Sequence, residues 1–302
     1  MRKFVVRAVS FSLFIYVVMS ALDFKLSDMA SKSNYRAIEA WAEWMGGNVD
    51  ADCIIMGSSR AEHHVSPVVL DSVAGTVSYN LGIAGAHFDL CNSVYNIYRN
   101  RNRIPSLVLI NVDYASVVPT RPESNCFQYY PWFHDKEFRK VFFSVIHPSV
   151  AERFLPIYRF SPIDTKLFQR WPKSSERGFL GHSMSFRPER IQNNTLFFHV
   201  DEAVESSFVE LIDTLRADGA DVVLFVSPIH ADTFRRMPNY EEMIAYYDSI
   251  SFIKGIPLLN YTDMGLCEDE AFFMDGLHLN RTGALVFTDS LAQDIIRLGL
   301  SR

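Results

Sequence analysis

The chain has little cysteine. Its four residues, Cys53, Cys91, Cys126 and Cys267, include no Cys-x-x-Cys pair, which excludes a cysteine-ligated zinc ribbon and a dense disulfide framework. Cys53 lies in an apolar run and reads as a small buried hydrophobe. An exported domain could oxidise one pair, and the sequence does not select which. No Gly-x-x-x-x-Gly-Lys phosphate loop and no His-Glu-x-x-His zinc motif occurs, so no cofactor and no metal is implied. Clustered Lys and Arg are also missing, and the net charge is -6 with a pI near 5.8. A broad nucleic-acid surface is thereby excluded, because phosphate binding needs concentrated positive charge. There is neither an internal repeat nor a low-complexity tract.

What is present is apolar: 48% of the 302 residues are hydrophobic, ample for a buried core. Arg2, Lys3 and Arg7 precede an uncharged stretch from Ala8 to Leu22. With Phe4-Val5-Val6 it reaches the roughly 17 to 25 residues a spanning helix needs. The basic flank should stay in the cytoplasm and place the rest of the chain on the far side. We read residues 1–25 as an uncleaved anchor and 26–302 as a single extracytoplasmic domain. A cleaved signal peptide would leave the protein secreted, but Met19-Ser20-Ala21 is a poor small-x-small cleavage site. A buried helix of a cytoplasmic protein is the remaining alternative, and the basic flank speaks against it.

Beyond the anchor, short apolar runs alternate with helical patterns. Strands are expected at 52–56, 77–83, 107–112, 221–226 and 257–261, and helices at 34–45, 88–98, 202–216, 240–253 and 282–298. Strands bounded this way read as buried parallel strands. The expected fold class is α/β, a three-layer α/β/α sandwich on a mainly parallel five-stranded sheet. Ligands of such sheets sit beyond the carboxyl ends of the strands. Gly57-Ser58-Ser59, Gly82 to Gly85, Asp113-Tyr114 and Ser227-Pro228 all fall there. Between 115 and 200 the alternation stops. That segment is rich in aromatics, among them Phe127, Tyr129, Tyr130, Trp132, Phe133, Phe142, Phe143, Phe154, Tyr158 and Trp171. We read it as an insertion packing over or beside the rim, most of whose aromatics form a small core of its own.

Ser59, His278 and Asp275 could form a nucleophile, base and acid. A serine hydroxyl needs a histidine to take its proton, and a carboxylate fixes that histidine's tautomer. At a strand-to-helix junction Ser59 would also lie beside unpaired N–H groups that favour a developing anion. The Asp-x-x-His spacing can aim both side chains at one edge if the loop turns there. Ser58 is expected to cap the following helix.

With Gly57-Ser58-Ser59-Arg60, Asn80-Leu81-Gly82-Ile83-Ala84-Gly85 and Asp275-Gly276-Leu277-His278 in this order, the chain resembles the SGNH/GDSL-type hydrolases and acyltransferases. The match covers scattered blocks outside the insertion. The resemblance implies a flavodoxin-like fold, Ser59 as nucleophile with Asp275 and His278, and an oxyanion hole of the Ser59 and Gly85 N–H groups. It departs from the family at the third block. The usual Gly-x-Asn-Asp is replaced by Ile110-Asn111-Val112-Asp113-Tyr114, where Asn111 would lie inside the strand and an ionised Asp113 cannot donate. Tyr114 could complete the hole instead.

That departure and the anchor shift the resemblance toward membrane-anchored envelope proteins that move acyl groups on or off surface glycans. The implied activity is an extracytoplasmic serine esterase or O-acyltransferase. Its substrate would be an acylated glycan or lipid-linked molecule, with a membrane acyl-donor protein as a partner by resemblance only and no nucleic acid. The alternative is a non-catalytic glycan-binding or partner-docking module. Asn80, His87, Tyr114 and His230 are candidate substrate contacts, His230 being equally readable as a loop histidine satisfied by backbone. Arg60 reads as a partner for an anionic substrate group or for Glu62, and His63 and His64 as solvent-facing or packing residues.

Overall fold

The computed structural model describes residues 1–35, 37–120, 128–161, 175–187 and 195–301. Cys126, Phe127 and Trp171 lie outside the described residues. Five strands form one sheet: β1 (Cys53–Met56), β2 (Ser78–Asn80), β3 (Leu107–Asn111), β4 (Asp221–Val226) and β5 (Leu258–Asn260). Every pairing is parallel and the order is β2-β1-β3-β4-β5, the arrangement of doubly wound flavodoxin-like sheets. The second strand is shorter than its sequence pattern. Beyond Asn80 the chain leaves the ladder, with the Leu81 N–H still donating to the Ile55 carbonyl at 2.7 Å.

The helices are α1 (Arg2–Ser31), α2 (Ile38–Met45), α3 (Ser59–His64), α4 (Pro67–Ala74), α5 (Phe88–Arg101), α6 (Lys136–Ile146), α7 (Val150–Phe154), α8 (Glu202–Ala217), α9 (Ala231–Phe234), α10 (Tyr240–Lys254) and α11 (Arg281–Arg297). Successive strand residues point to opposite faces, and the core divides accordingly. Ile54, Met56, Val108, Ile110, Val222 and Leu224 pack with α2, α5, α8 and α10. Cys53, Ile55, Leu107, Leu109, Val223 and Phe225 pack with α3, α4 and α11. Both faces of β1 and β3 are buried, which is why these strands read as unbroken apolar runs.

The apolar N-terminal stretch belongs to a longer helix. α1 contains an 18-residue window long and apolar enough to cross a membrane, and none of that window is buried. The helix continues to Ser31 because Asp23, Ser27 and Ala30 share a face that packs on the domain. Asp23 accepts from His134 Nε2 at 2.7 Å and from the Ile157 N–H at 2.7 Å, and it pairs with Arg159 at 2.8 Å. The Arg159 guanidinium also donates to Ser27 Oγ.

The described aromatics of the insertion do not close on themselves. Tyr129, Tyr130, Phe133, Phe138 and Phe142 join the main core, with Trp41 of α2 touching Tyr129 and Phe142 at ring separations of 5.6 Å. Phe143 is half-buried, whereas Phe154 and Tyr158 are exposed. Trp41 is 1% exposed, so its removal should leave a cavity that its ring neighbours cannot fill. Trp41→Ala is expected to cost about 3–5 kcal/mol in denaturation followed by circular dichroism. A loss below about 1 kcal/mol, the level of an ordinary substitution, would show that the insertion holds together without α2.

Candidate active site

The turn that carries Ser59 is built where β1 ends. Gly57 takes φ +141°, and a side chain there would press on Asn111 Cβ at 2.9 Å, so only glycine fits the turn. Ser58 caps α3, accepting from the Arg60 N–H at 3.3 Å and donating to Asp113 Oδ2 at 3.1 Å. Ser59 follows as the first helical residue, half-buried. Its hydroxyl lies 2.8 Å from His278 Nε2.

His278 comes from a tight loop after β5. Asp275 Oδ1 accepts the Leu277 and His278 N–H groups, each at 2.9 Å, so the side chain closes the turn the spacing requires. Below it, Phe273 and Leu279 form an antiparallel bridge, and the Asn280 amide donates to the Ala271 carbonyl at 2.7 Å. His278 Nδ1–H then faces Asp275 at 2.9 and 3.1 Å, which leaves Nε2 to accept from Ser59. Burial raises the Asp275 carboxyl, but the hydrogen bond and charge of His278 and the two backbone N–H groups outweigh it. Its pKa lies below the ordinary carboxylate value, and it stays ionised beside the imidazole.

Buried residues of α3 hold this chain in place. His64 is fully buried: Nε2 accepts the Leu279 N–H at 3.0 Å and Nδ1 bonds Ser227 Oγ at 3.0 Å. Burial and the nearby Arg60 charge keep its pKa well below the ordinary value, so the ring is neutral. His63 donates from Nδ1 to the Leu180 carbonyl at 2.8 Å and meets His278 edge-on, with ring centres 5.7 Å apart. Burial, His278 and His182 hold it down at about 3. These two histidines are packing residues on α3, not solvent-facing ones. The segment 175–187 also reaches the rim, with the Arg177 carbonyl on the Asn80 N–H and the Leu180 N–H on the Glu62 carbonyl. Gly178, at φ +88°, lies so close to the Asn80 carbonyl that a Cβ would approach it to 1.8 Å.

The four rim loops converge as expected. The Ile83 N–H donates to the Gly57 carbonyl at 3.0 Å, Ser58 reaches Asp113, and Arg60 donates to the Ser227 and Pro228 carbonyls. Among the described residues, the N–H groups of Ser59 and Gly85 donate to no protein acceptor. The Tyr114 hydroxyl also has no hydrogen-bond partner there, and burial with the Asp113 charge pushes its pKa up to about 12. It is therefore a neutral donor.

The expectations for Asn80 and Arg60 are corrected, and the structure decides between the two readings of His230. Asn80 is not exposed to a ligand: 1% accessible, it donates to the Ala61 and Val65 carbonyls and accepts the Gly82 N–H, each at 2.8 Å. His230 is 5% exposed and caps α9, accepting the Asp232 N–H at 3.3 Å, while its own N–H ties to the Gly276 carbonyl. The backbone reading of His230 holds, and its contact steadies the Asp275 loop. Arg60 pairs with neither substrate nor Glu62 but lies buried 3.9 Å from Asp113. His87 begins α5 and donates to the Val118 carbonyl at 2.8 Å. Among the described residues it makes no hydrogen bond to Ser59, His278 or Asp275. Asn111 lies inside β3 as read, its amide on the Phe225 carbonyl at 3.3 Å.

No protein-family model and no curated protein matches the chain. Among solved structures it is similar to a Bacteroides fragilis chain described as an acylhydrolase, at 12% identity over 82% of this chain and 87% of that one, with a TM-score of 0.40. It is also similar to an active-site mutant of a family two carbohydrate esterase from Clostridium thermocellum, at 10% identity and a TM-score of 0.38. A third is an acetyl xylan esterase from Butyrivibrio proteoclasticus, at 10% identity and a TM-score of 0.35. Each of these two matches covers 82% of this chain and 64% of the esterase. At such scores the likeness is loose, and the chemistry of the site rests on its own geometry.

The corrected role of Asn80 has a measurable consequence. Asn80→Ala breaks three buried hydrogen bonds worth ~0.5–1.5 kcal/mol each, so an unfolding free energy lower by about 2–4 kcal/mol is expected. An unchanged denaturation midpoint would return Asn80 to the list of substrate contacts.

Proposed function

We propose that the chain is a membrane-anchored serine esterase or O-acyltransferase acting outside the cytoplasm on acyl esters of a cell-envelope glycan. The observation that carries this reading is the hydrogen-bonded series Ser59 Oγ, His278 Nε2, His278 Nδ1, Asp275 Oδ1, with links of 2.8 and 2.9 Å. A domain kept only for binding has no need to hold a serine hydroxyl on an imidazole that is itself oriented by a carboxylate.

Ser59 Oγ attacks the acyl carbonyl while His278 Nε2 takes its proton, and Asp275 stabilises the imidazolium. The carbonyl oxygen becomes an oxyanion received by the free N–H groups of Ser59 and Gly85, with Tyr114 a candidate third donor. Collapse expels the alcohol, which takes the proton from His278, and leaves an acyl ester on Ser59. Water or a sugar hydroxyl, deprotonated by His278, then attacks that ester, transfers the acyl group and restores Ser59. No step requires a cofactor.

Support for a glycan comes from the departure at the third motif block and the anchor, which shift the resemblance toward envelope proteins, and a cleft of about 550 Å³ adjoins the loop after His278. Ser183, Ser185, Glu270, Arg281 and Thr282 line it together with Met184, Phe186 and Ala271, so groups able to bond hydroxyls stand beside an apolar wall.

A fluorophosphonate should add once to the full-length protein, by intact mass, and not to Ser59→Ala. Absence of the adduct on folded protein would favour the binding-module reading. With a simple aryl acetate as substrate, Ser59→Ala and His278→Ala should lose turnover equally and Asp275→Asn by ~10⁴-fold, because the three act as a unit. Unchanged turnover in any of them would sink the mechanism.

A further inference from the structure

The anchor helix does not leave the domain as a free tether. Asp23 Oδ1 holds the Ile157 N–H at 2.7 Å, and the Tyr16 hydroxyl donates to the Phe154 carbonyl at 3.4 Å. Seven residues of helix separate Tyr16 from Asp23, about 10 Å of rise. The chain from Ile157 back to Phe154 thus runs down α1 toward its N-terminus, into the uncharged stretch from Ala8 to Leu22. There the insertion exposes three large apolar side chains around Glu152 and Arg153. Val150 is 75% exposed, Phe154 64% and Leu155 54%, although α6 immediately before them buries Phe138 and Phe142. Beside this patch Arg139, Arg153, Arg159 and Glu152 line a cavity of about 280 Å³ together with Tyr16, Ser20 and Asp23 of α1.

We infer that α7 and the turn after it are a second membrane contact, which places Val150, Phe154 and Leu155 in the lipid leaflet from which α1 emerges. The partner is the bilayer itself. Continuity argues for it, since the patch touches the unburied face of the only described helix able to cross a membrane. Chemistry agrees, since apolar side chains beside arginines match the sequence of acyl chain and phosphate at a bilayer boundary. The inference rests on reading α1 as a spanning helix.

The test uses the full chain reconstituted in vesicles of phosphatidylcholine and phosphatidylglycerol. An environment-sensitive fluorophore is attached at Val150→Cys or, separately, Leu155→Cys, with Cys126→Ser in the background; Cys53, Cys91 and Cys267 are buried. Leu13→Cys reports the anchor, and Phe252→Cys, at a residue 88% exposed on α10, reports the aqueous side. Lipids carrying a nitroxide near the headgroup should quench the 150 and 155 probes several-fold more than the 252 probe, with blue-shifted emission. Probes at 150 and 155 that stay unquenched while a deep nitroxide quenches the 13 probe would overturn the inference and leave the anchor standing. A blue shift without lipid quenching would mean burial against a second copy, and also overturns it. An unquenched probe at 13 would remove the anchor reading and the inference with it.

Discussion

The site depends on one neutral imidazole. His64 closes α3, the helix that begins with Ser59, and is 0% exposed. Its Nε2 can accept the Leu279 N–H only while unprotonated, so the ring proton sits on Nδ1 and donates to Ser227 Oγ. One side chain thereby fixes α3 against the residue after His278 and against the end of β4. The two partners lie 215 and 163 residues further along the chain. Protonation would turn Nε2 into a donor facing another donor. Burial and the Arg60 charge prevent that, and leaving either buried partner unpaired would cost ~1–3 kcal/mol.

Arg60 stands four residues before His64 and therefore on the same face of α3. It reaches the Ser227 and Pro228 carbonyls as His64 reaches the Ser227 hydroxyl. Its buried charge faces Asp113, whose oxygens also accept from Ser58, Ser116 and the Ala115 N–H. Buried ion pairs return little net stability, because desolvation offsets attraction. What this one contributes is position. It ties the turns after β1, β3 and β4 together beneath Ser59 and so fixes that residue's backbone, the condition under which N–H donors can receive an oxyanion without reorganising.

Much of this was legible because the relevant physics is local. Strands buried on both faces, such as Cys53–Met56 and Leu107–Asn111, must be continuously apolar, and helices between them carry their own period. Ser59, Asp275 and His278 stood out because few residue types can perform proton transfer, and their order along the chain matched one arrangement. Asn80 was misread and His230 left open for one physical reason: a polar side chain at a strand end looks the same whether its partner is a ligand or the backbone. Only the three-dimensional neighbours, Ala61 and Val65 for Asn80 and Asp232 for His230, decide between them. The segment 175–187 was opaque for another reason. It has no periodicity, and its grip on Asn80 and His63 uses backbone carbonyls, which every residue possesses.

The length of α1 bears on how such a site would meet its substrate. Thirty residues make a helix about 45 Å long, of which a bilayer core takes up ~30 Å. The remainder corresponds to the stretch carrying Asp23, Ser27 and Ala30, the residues buried against the domain. With α1 across a membrane, no free linker separates bilayer from domain. Asp23, bound to His134, Ile157 and Arg159, further resists rotation of the helix against the insertion. A flexible tether would let the Ser59 hydroxyl sample every height and direction within its reach. A locked helix across that membrane gives it one height and one direction relative to the bilayer.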